Sequence, residues 1–216
     1  MRPNNQFVLV LLLCLCASVV TASPSPSPHS GVFGYLQLPR ESLQIFPQWL
    51  SVLERHLREL APAGNCRATR FNQCHLKQWL RFLDSIKNLD EAEQVRRVNL
   101  YANEKSYVLD IENYGIEDYW ATPRQFLDQS GDCEDYAIIK MLSLKHLGID
   151  PGRMRVVVVQ DTNLRVAHAV LSLDVKQDIM ILDNQIREVI SHKNIFHYVP
   201  VYSVSERRWW MHLPEQ

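Results

Sequence analysis

The pattern of apolar residues changes once along the chain, at Pro151, and this change limits the fold more than any other feature. Before Pro151 the apolar residues recur at steps of three and four positions, which is typical of amphipathic helices. After Pro151 they form short runs rich in valine and isoleucine or alternate with polar residues, which is typical of β-strands. Helices followed by strands predict an α+β fold, in which N-terminal helices pack on an antiparallel sheet.

Helix start and end signals support this division. Thr122 and Gln125 form the signature of a capping box, Asp132 is placed to cap the next helix, and Gly148 is placed to end it. The predicted helices begin at or near residues 47, 76, 90, 122 and 132. In the first helix the residues that recur at steps of three and four positions are Leu50, Leu53, Leu57 and Leu60.

The predicted strands cover residues 154–160, 167–173, 179–183, 198–204 and 207–212. The second and third flank a short polar turn and should form a hairpin. If Leu173 pairs with Asp178, His168 lies opposite Asp183 on one face of the sheet, with side chains about 5 Å apart. A slip of one residue would put the two side chains on opposite faces.

The N-terminus indicates export. Residues 1–22 carry the parts of a secretory signal peptide: a positive Arg2, an apolar run over residues 7–20 and small residues before Ser23. An uncleaved membrane anchor is the alternative, but a run of about 14 apolar residues is shorter than the roughly 20 that span a bilayer. Residues 23–44 are predicted to be a Ser/Pro-rich tether and an irregular lead-in, followed by one domain over 45–216.

These features predict an exported protein, periplasmic in a Gram-negative bacterium, whose mature chain does not insert into a membrane. The formal net charge of −1 gives no broad basic surface, so a nucleic-acid partner is not expected. Hydrophobic residues make up 46 % of the chain and charged residues 22 %, which is the composition of a folded protein rather than a disordered one.

The cysteines divide into three groups. Cys14 and Cys16 lie in the predicted signal peptide, and Cys66 and Cys74 lie close together at the junction of the first two helices. In an oxidising compartment we expect Cys66 and Cys74 to form a disulfide, with two buried free thiols as the alternative. Cys133 then remains without a partner, at a predicted helix start among charged residues, which is typical of a thiol that is used chemically.

A histidine and an aspartate that could work with this thiol follow in the predicted hairpin. The helix N-terminus favours a thiolate at Cys133, His168 could take its proton, and Asp183 could hold the imidazole in the tautomer that accepts that proton. Each residue taken alone also has an ordinary interpretation: an inert buried thiol, a core or surface histidine, and an aspartate in a turn.

The chain resembles the bacterial transglutaminase-like cysteine proteases over about residues 45–205. The segments that carry the resemblance are Asp118-Tyr119-Trp120-Ala121-Thr122-Pro123, Gly131-Asp132-Cys133-Glu134-Asp135-Tyr136-Ala137, Ala167-His168-Ala169-Val170-Leu171 and Ile181-Leu182-Asp183-Asn184-Gln185. The resemblance implies a papain/transglutaminase-like fold and a catalytic triad of Cys133, His168 and Asp183.

The resemblance also implies a calcium-dependent enzyme. Members of the family bind Ca²⁺ through the acidic residues beside the nucleophile, which correspond to Asp132 and Glu134 here, and Asp118 and Asp135 are further candidates. Carboxylate oxygens suit this ion, and its charge would offset the charge that otherwise opposes a thiolate. The implied substrate is the N-terminal region of a large surface adhesin, whose release disperses a biofilm. The implied regulator is an inner-membrane receptor that senses cyclic di-GMP.

Two other functions remain compatible with the same residues. A protein-glutamine transglutaminase would form the same acyl-enzyme and pass it to an amine instead of water. A non-catalytic periplasmic binding module would keep the fold for a partner. Trp120 either lines the cleft beside the nucleophile or packs in the core.

Overall fold

The computed structural model describes residues 31–60 and 74–215. The predicted signal peptide over 1–22, the Ser-Pro repeat of the tether and Cys66 lie outside the described residues, so the signal peptide, the tether and the Cys66–Cys74 disulfide stay predictions. Within the described ranges, no helix combines the length and the apolar character that crossing a membrane requires.

Helices make up most of the described chain before Pro151. Thr122 caps α5 by accepting a hydrogen bond from the N–H of Gln125, whose side chain accepts one from the N–H of Thr122, so the predicted capping box is confirmed. Gly148 follows α6 with φ 95°, a backbone conformation that glycine adopts without strain. The helices are α1 Pro47–Glu59, α2 Cys74–Ile86, α3 Glu91–Asn103, α4 Asp110–Asn113, α5 Pro123–Gln129 and α6 Cys133–His146.

The strands form a single antiparallel sheet, as predicted for an α+β fold. They are β1 Leu36–Arg40, β2 Met154–Asp161, β3 Val166–Val175, β4 Asp178–Leu182, β5 Ile190–Ser191, β6 Tyr198–Val204 and β7 Trp209–Leu213. Their order across the 7-stranded sheet is β1-β7-β6-β2-β3-β4-β5. The predicted N-terminal helices packed on an antiparallel sheet are therefore confirmed.

Two strands, β1 and the two-residue β5, lie where no strand was predicted. Residues 36–40 belong to the stretch interpreted as an irregular lead-in, yet they pair with β7 from Leu36↔Leu213 to Arg40↔Trp209. The sequence signal was weak because the strand is short and contains Pro39, which strands tolerate at a sheet edge. Its partner is also distant in sequence, so local periodicity could not reveal the pairing.

The central strands β2 and β3 are buried on both faces of the sheet. One face packs on the helices, and α6 is its centre: every residue of α6 from Glu134 to Leu144 is buried. The other face carries a smaller core that includes Val157, Val159, Val170 and Tyr198. The run of four valines in β2 is explained by this double burial, because neighbouring valines point to opposite faces and both faces are covered.

The β3–β4 hairpin has a different register from the predicted one. Val175 pairs with Asp178 around a two-residue turn in which Lys176 has φ 52°. Such short turns with positive φ match the twist of paired strands. The predicted pairing of Leu173 with Asp178 was therefore wrong by two residues. Because the error is even, His168 and Asp183 still lie on the same face of the sheet, as diagonal neighbours rather than opposite each other.

The fully buried residues of α1 are not the leucines that recur at helical steps, although Leu53 packs partly buried against the core. The side chains that α1 buries are those of Trp49, Val52 and His56, whereas Leu57 is 69 % exposed. The Trp49 indole is fully buried, donates a hydrogen bond to the Ser205 carbonyl at 2.8 Å and packs on another tryptophan. An aromatic side chain buries more area than a leucine, so the helix turns its tryptophan inward.

Trp49→Ala should therefore lower the free energy of unfolding by about 3–5 kcal/mol, because it leaves a large cavity and an unpaired carbonyl. Leu57→Ala, on the same helix, should change the free energy of unfolding by less than about 0.5 kcal/mol. Urea denaturation of both variants measures the difference. Equal losses would show that the helix is rotated relative to the described packing.

Candidate active site

Cys133 is the first residue of α6, and the chain turns sharply just before it. Ser130 has φ 65°, and the carbonyl of Gly131 accepts a hydrogen bond from Val108 at 3.0 Å. A Cβ atom on Gly131 would lie 2.0 Å from Oδ2 of Asp135, so only glycine fits at this position. The turn places the thiol at the positive end of the helix dipole, as predicted, where backbone N–H groups are unpaired.

The surroundings of the thiol nevertheless oppose its ionisation. Burial raises the pKa of Cys133 well above its usual value, and the negative charges of Glu134 and Asp132 raise it further. The thiol donates a hydrogen bond to Oε2 of Glu134 at 3.3 Å, which also favours the protonated form. A hydrogen bond from the backbone N–H of Ala169 lowers the pKa of Cys133, but this effect is smaller. The thiol therefore stays protonated unless a positive charge offsets the carboxylates.

His168 and Asp183 form a buried hydrogen-bonded pair. Nε2 of His168 lies 2.9 Å from Oδ1 of Asp183, and the two residues are 3 % and 1 % exposed. The N–H of Gln185 donates to Oδ1 at 2.9 Å, and the hydroxyl of Tyr198 donates to Oδ2 at 2.7 Å. Burial opposes ionisation of Asp183, but the hydrogen bonds outweigh it and lower the pKa of the carboxyl.

The pair fixes which ring nitrogen can do chemistry. An ionised Asp183 accepts the proton on Nε2 of His168, so Nδ1 carries the lone pair that can take a proton from a thiol. Nδ1 lies 3.5 Å from the side-chain nitrogen of Gln185. The structure thus confirms the contact between His168 and Asp183 that the hairpin predicted, through a different strand register.

The third predicted residue, Cys133, lies against β3, the strand that carries His168. The backbone N–H of Ala169, the residue after His168, donates a hydrogen bond to the Cys133 sulfur, so the thiol lies against this part of β3. Within the described residues the hydrogen bond of the thiol goes to Glu134, and none joins it to the His168 ring. Proton transfer from Cys133 to His168 therefore requires the thiol to leave Glu134.

A cluster of carboxylates surrounds the N-terminus of α6, and we call it the acidic cluster. Ligand oxygens from its members lie within 4.8 Å of one another in overlapping groups of three, one of which includes the Cys133 sulfur. The five carboxylates of the acidic cluster are those of Asp110, Asp118, Asp132, Glu134 and Asp135. All are buried except that of Asp118.

Burial dominates the protonation of the acidic cluster. It raises the pKa of Asp110 to about 6 and raises the pKa values of Glu134 and Asp135 further, with their carboxylate neighbours adding to the effect. Backbone groups hold parts of the cluster in place: the N–H of Tyr119 donates to Asp110 at 2.5 Å and the N–H of Ala121 to Asp135 at 2.6 Å.

Several oxygens of the acidic cluster are buried without a hydrogen-bond donor. They are Oδ1 of Asp110, Oδ1 of Asp132 and Oδ2 of Asp135. Asp132 is the N-cap residue of α6, as predicted, but its side chain makes no capping hydrogen bond. Buried oxygens without donors and an all-oxygen set of hard ligands fit a divalent cation such as Ca²⁺. Asp132 and Glu134, predicted as metal ligands, both belong to this set.

Some residues of the site had no usable signal in the sequence. Asp110 lies in a four-residue helix that periodicity could not detect, and Tyr198 is an ordinary strand residue by pattern. Trp120 is buried against Trp49, so it packs in the core, and its indole N–H donates to Asp118 at 2.9 Å. It supports the acidic cluster rather than lining a cleft.

The architecture defines the class of protein. A cysteine at the N-terminus of a buried helix, packed against an antiparallel sheet that carries a His–Asp pair, is the arrangement of the papain/transglutaminase-like fold. The chain belongs to the bacterial transglutaminase-like cysteine proteinases, whose family pattern matches residues 63–216. Membership of this family supports a cysteine protease.

Solved structures agree with this assignment. The chain is similar to Legionella pneumophila LapG, with 26 % identity over 74 % of this chain and 87 % of LapG and a TM-score of 0.59. It matches calcium-bound LapG with 27 % identity and EGTA-treated LapG with 26 %, both with a TM-score of 0.59, covering 74 % of this chain and 87 % and 84 % of theirs. No curated protein matches the chain.

The His168–Asp183 pair should depend on Tyr198. Tyr198→Phe removes the donor to Oδ2 of Asp183 and should lower the free energy of unfolding at neutral pH by about 1.5–3 kcal/mol. Because the folded state lowers the pKa of Asp183, this contribution exists above the unfolded value of about 4 and is lost as the pH falls through the folded value. Urea denaturation across that range measures it.

Tyr202→Phe is the matched control, because Tyr202 lies on the same strand and its hydroxyl bonds to no group in the described ranges. It should change the free energy of unfolding much less than Tyr198→Phe. If the two substitutions have equal effects at neutral pH, the Tyr198 hydroxyl does not stabilise the Asp183 carboxylate.

Proposed function

We propose that this protein is a calcium-dependent cysteine endopeptidase in which Cys133 is the nucleophile, His168 the general base and acid, and Asp183 the residue that orients His168. The observation that supports this most strongly is the buried Nε2–Oδ1 hydrogen bond of 2.9 Å between His168 and Asp183, beside a thiol at a helix N-terminus. The family to which the chain belongs consists of cysteine proteinases.

The mechanism follows from the positions of these groups. Nδ1 of His168 takes the proton of Cys133, and the sulfur attacks the scissile carbonyl carbon. Unpaired backbone N–H groups of the first turn of α6, that of Cys133 among them, are placed to stabilise the oxyanion. His168 then protonates the leaving amine, and water hydrolyses the acyl-enzyme with His168 acting as base. Asp183 stabilises the imidazolium in each step.

Asp132 and Glu134 would hold Ca²⁺, with Asp110, Asp118 and Asp135 as further ligands. The support is the set of buried oxygens without donors in the acidic cluster, and the calcium-bound and EGTA-treated forms of the similar LapG. When bound, the ion supplies positive charge beside Cys133 and so favours the thiolate. Glu134 would then bind the ion instead of accepting the hydrogen bond from the thiol. The thiol would be free to give its proton to His168.

The proposed setting is the periplasm, reached through a cleaved signal peptide over residues 1–22. The proposed substrate is the N-terminal region of a large surface adhesin, whose cleavage releases the adhesin and promotes biofilm dispersal. The proposed regulator is an inner-membrane receptor that responds to cyclic di-GMP and sequesters the enzyme. The support is the resemblance of the Gly131–Ala137, Ala167–Leu171 and Ile181–Gln185 segments to enzymes with this role.

Cys133→Ala should reduce cleavage of an adhesin N-terminal fragment by at least about 10³-fold, because no other group supplies the nucleophile. Asp183→Asn should reduce kcat by about 10²–10⁴-fold, because the amide stabilises the wrong tautomer of His168. Product peptides identified by mass spectrometry measure both. Cys133→Ala should leave the melting temperature and receptor binding nearly unchanged.

The same assay separates the competing functions. Incorporation of a labelled primary amine in place of peptide release would identify a transglutaminase. Unchanged cleavage by Cys133→Ala would contradict the nucleophile assignment. Failure of the wild-type protein to cleave or to transfer, with receptor binding retained, would identify a binding module.

The acidic cluster should bind calcium and gain stability from it. At a free Ca²⁺ concentration of about 100 Kd, binding should stabilise the fold by roughly 2.7 kcal/mol, and cleavage should be lost in excess EGTA. Asp110→Asn should reduce this calcium-induced gain. In EGTA the same variant should be at least as stable as the wild type, because it removes a buried carboxylate from a repulsive group.

Glu112→Gln is the matched control, because Glu112 is exposed on the same short helix and lies outside the acidic cluster. It should leave the calcium-induced rise in melting temperature unchanged. A cleavage rate that is the same in EGTA and in calcium would remove the calcium assignment while leaving the nucleophile assignment intact.

A further inference from the structure

We propose that the turn formed by residues 31–35, which we call the 31–35 turn, is a positioning element of the active site, in which the ring of Phe33 holds Tyr198 against Asp183. The proposal rests on the proposed function only for its effect on cleavage. Its effect on the hydrogen bond between Tyr198 and Asp183 applies to the folded protein, with or without activity.

The 31–35 turn precedes the part of the chain that matches the family pattern, residues 63–216. It belongs to the stretch predicted as an irregular lead-in, yet it closes on itself through backbone hydrogen bonds. The N–H of Gly31 donates to the carbonyl of Tyr35 at 2.9 Å, and the N–H of Gly34 donates to the carbonyl of Gly31 at 3.0 Å. Strand β1 follows directly and pairs with β7, so the turn is a folded part of the domain.

Two contacts fasten the 31–35 turn to the smaller core on the sheet. The side chain of Val32 is 2 % exposed and belongs to that core. The N–H of Phe33 donates to Nδ1 of His192 at 2.8 Å, and the His192 ring is buried. Burial lowers the pKa of His192, which keeps the ring in the neutral form that can accept this hydrogen bond. The position of Phe33 is therefore fixed from both its backbone and its neighbour.

The backbone of the turn is strained at Phe33. This residue has φ 56° and ψ 22°, in the left-handed region that bulky side chains rarely adopt. Gly34 follows at φ 79°, where glycine is not strained. A strained residue persists only where its surroundings fix it, and such residues cluster at functional sites. The contacts that the Phe33 ring makes therefore identify what the strain serves.

The Phe33 ring packs on Tyr198. The two ring centres are 5.7 Å apart and the ring planes are inclined by 88°, the edge-to-face geometry that aromatic pairs favour. The Tyr198 ring in turn lies 5.5 Å from the His168 ring, and its hydroxyl donates to Oδ2 of Asp183 at 2.7 Å. Phe33, Tyr198 and the His168–Asp183 pair thus form one continuous series of contacts.

The orientation of the Tyr198 ring matters because its hydrogen bond is directional. A ring that Phe33 already holds in place loses less conformational freedom when its hydroxyl donates to Asp183. That donor on Oδ2 helps to orient the carboxylate whose Oδ1 holds His168, and so the direction in which the ring presents Nδ1. A small misplacement of a catalytic base lowers the rate, so the ring of Phe33 contributes to catalysis through Tyr198.

A double-mutant cycle tests this role without any cleavage assay. Phe33→Gly removes the ring, relieves the backbone strain and keeps the N–H that binds His192. Tyr198→Phe removes the hydroxyl and keeps the ring, so the contact between the two rings cancels in the cycle. At neutral pH the decrease in melting temperature caused by Tyr198→Phe should shrink by about half or more in the Phe33→Gly background, because the hydroxyl is then held less firmly.

Phe82→Ala is the matched control, because Phe82 is also a partly buried ring that packs on a tyrosine. It lies on α2 and stacks on Tyr101 of α3, with ring centres 4.1 Å apart. In the Phe82→Ala background, Tyr198→Phe should cause its full decrease in melting temperature, since the effects of independent sites add.

The same variants predict a separation of kcat from KM. Phe33→Gly should lower kcat by about tenfold and leave KM nearly unchanged, because it misplaces the base and not the substrate, and an error of one ångström can cost about 10²-fold. Phe33→Tyr keeps the ring and should restore kcat. Phe82→Ala should keep the wild-type kcat despite its lower melting temperature.

Equal decreases in melting temperature on Tyr198→Phe in the wild-type and Phe33→Gly backgrounds, or no decrease in either, would overturn the proposal and leave Phe33 with a packing role. A smaller decrease in Phe33→Gly, in a protein that cleaves nothing, would support the proposal and contradict the proposed function. Normal cleavage by the wild type with an unchanged kcat in Phe33→Gly would support the function and contradict the role of Phe33.

Discussion

The repulsion among the carboxylates at the N-terminus of α6 is the constraint on which the rest of the site depends. The acidic cluster holds Asp110, Asp132, Glu134 and Asp135 buried, and oxygens of Asp132 and Glu134 lie within 4.8 Å of the Cys133 sulfur. Burial raises the pKa of the thiol and of three of these carboxyls, because water no longer solvates their charged forms. The helix dipole alone does not overcome this effect. The proposed nucleophile is therefore a protonated thiol, and the proposed role of the cation is to favour its thiolate form.

A second buried polar group, the amine of Lys140, lies two turns along the same helix. Within the described residues its Nζ atom makes no hydrogen bond. The acidic cluster and this amine both contain buried polar atoms without full pairing. Both reduce the stability of the folded state, since buried charges without full pairing are costly. Such costs are typical of functional sites, and here they are concentrated on one helix.

Local signals predicted the fold and much of the site. The capping box at Thr122, the glycine at 148 and the change from helical to strand patterns at Pro151 were all confirmed. The contact between His168 and Asp183 was also predicted, although the assumed pairing was shifted by two residues. The predicted contact was still correct, because side chains in a strand alternate with a period of two and an error of two residues keeps His168 and Asp183 on one face of the sheet.

What the sequence did not reveal depends on contacts between distant segments. The β1 strand was missed because its partner β7 lies far away in the sequence. In α1 the fully buried side chain is that of Trp49, whose indole donates a hydrogen bond to the Ser205 carbonyl, whereas of the leucines only Leu53 packs partly buried against the core. Asp132 appeared suited to a helix cap, but its side chain joins the acidic cluster instead. The burial of Lys140 follows from packing around α6, which periodicity of one helix cannot show.

The reactivity of the Cys133 thiol tests the central claim most directly. The rate of alkylation of Cys133 by iodoacetamide, followed by peptide mass spectrometry at neutral pH, reports the fraction of thiolate. Saturating Ca²⁺ should increase this rate by at least about tenfold over excess EGTA, which corresponds to a decrease of about one unit in the pKa of the thiol. An equal rate in calcium and in EGTA would contradict the account, because the carboxylates would then not control the nucleophile.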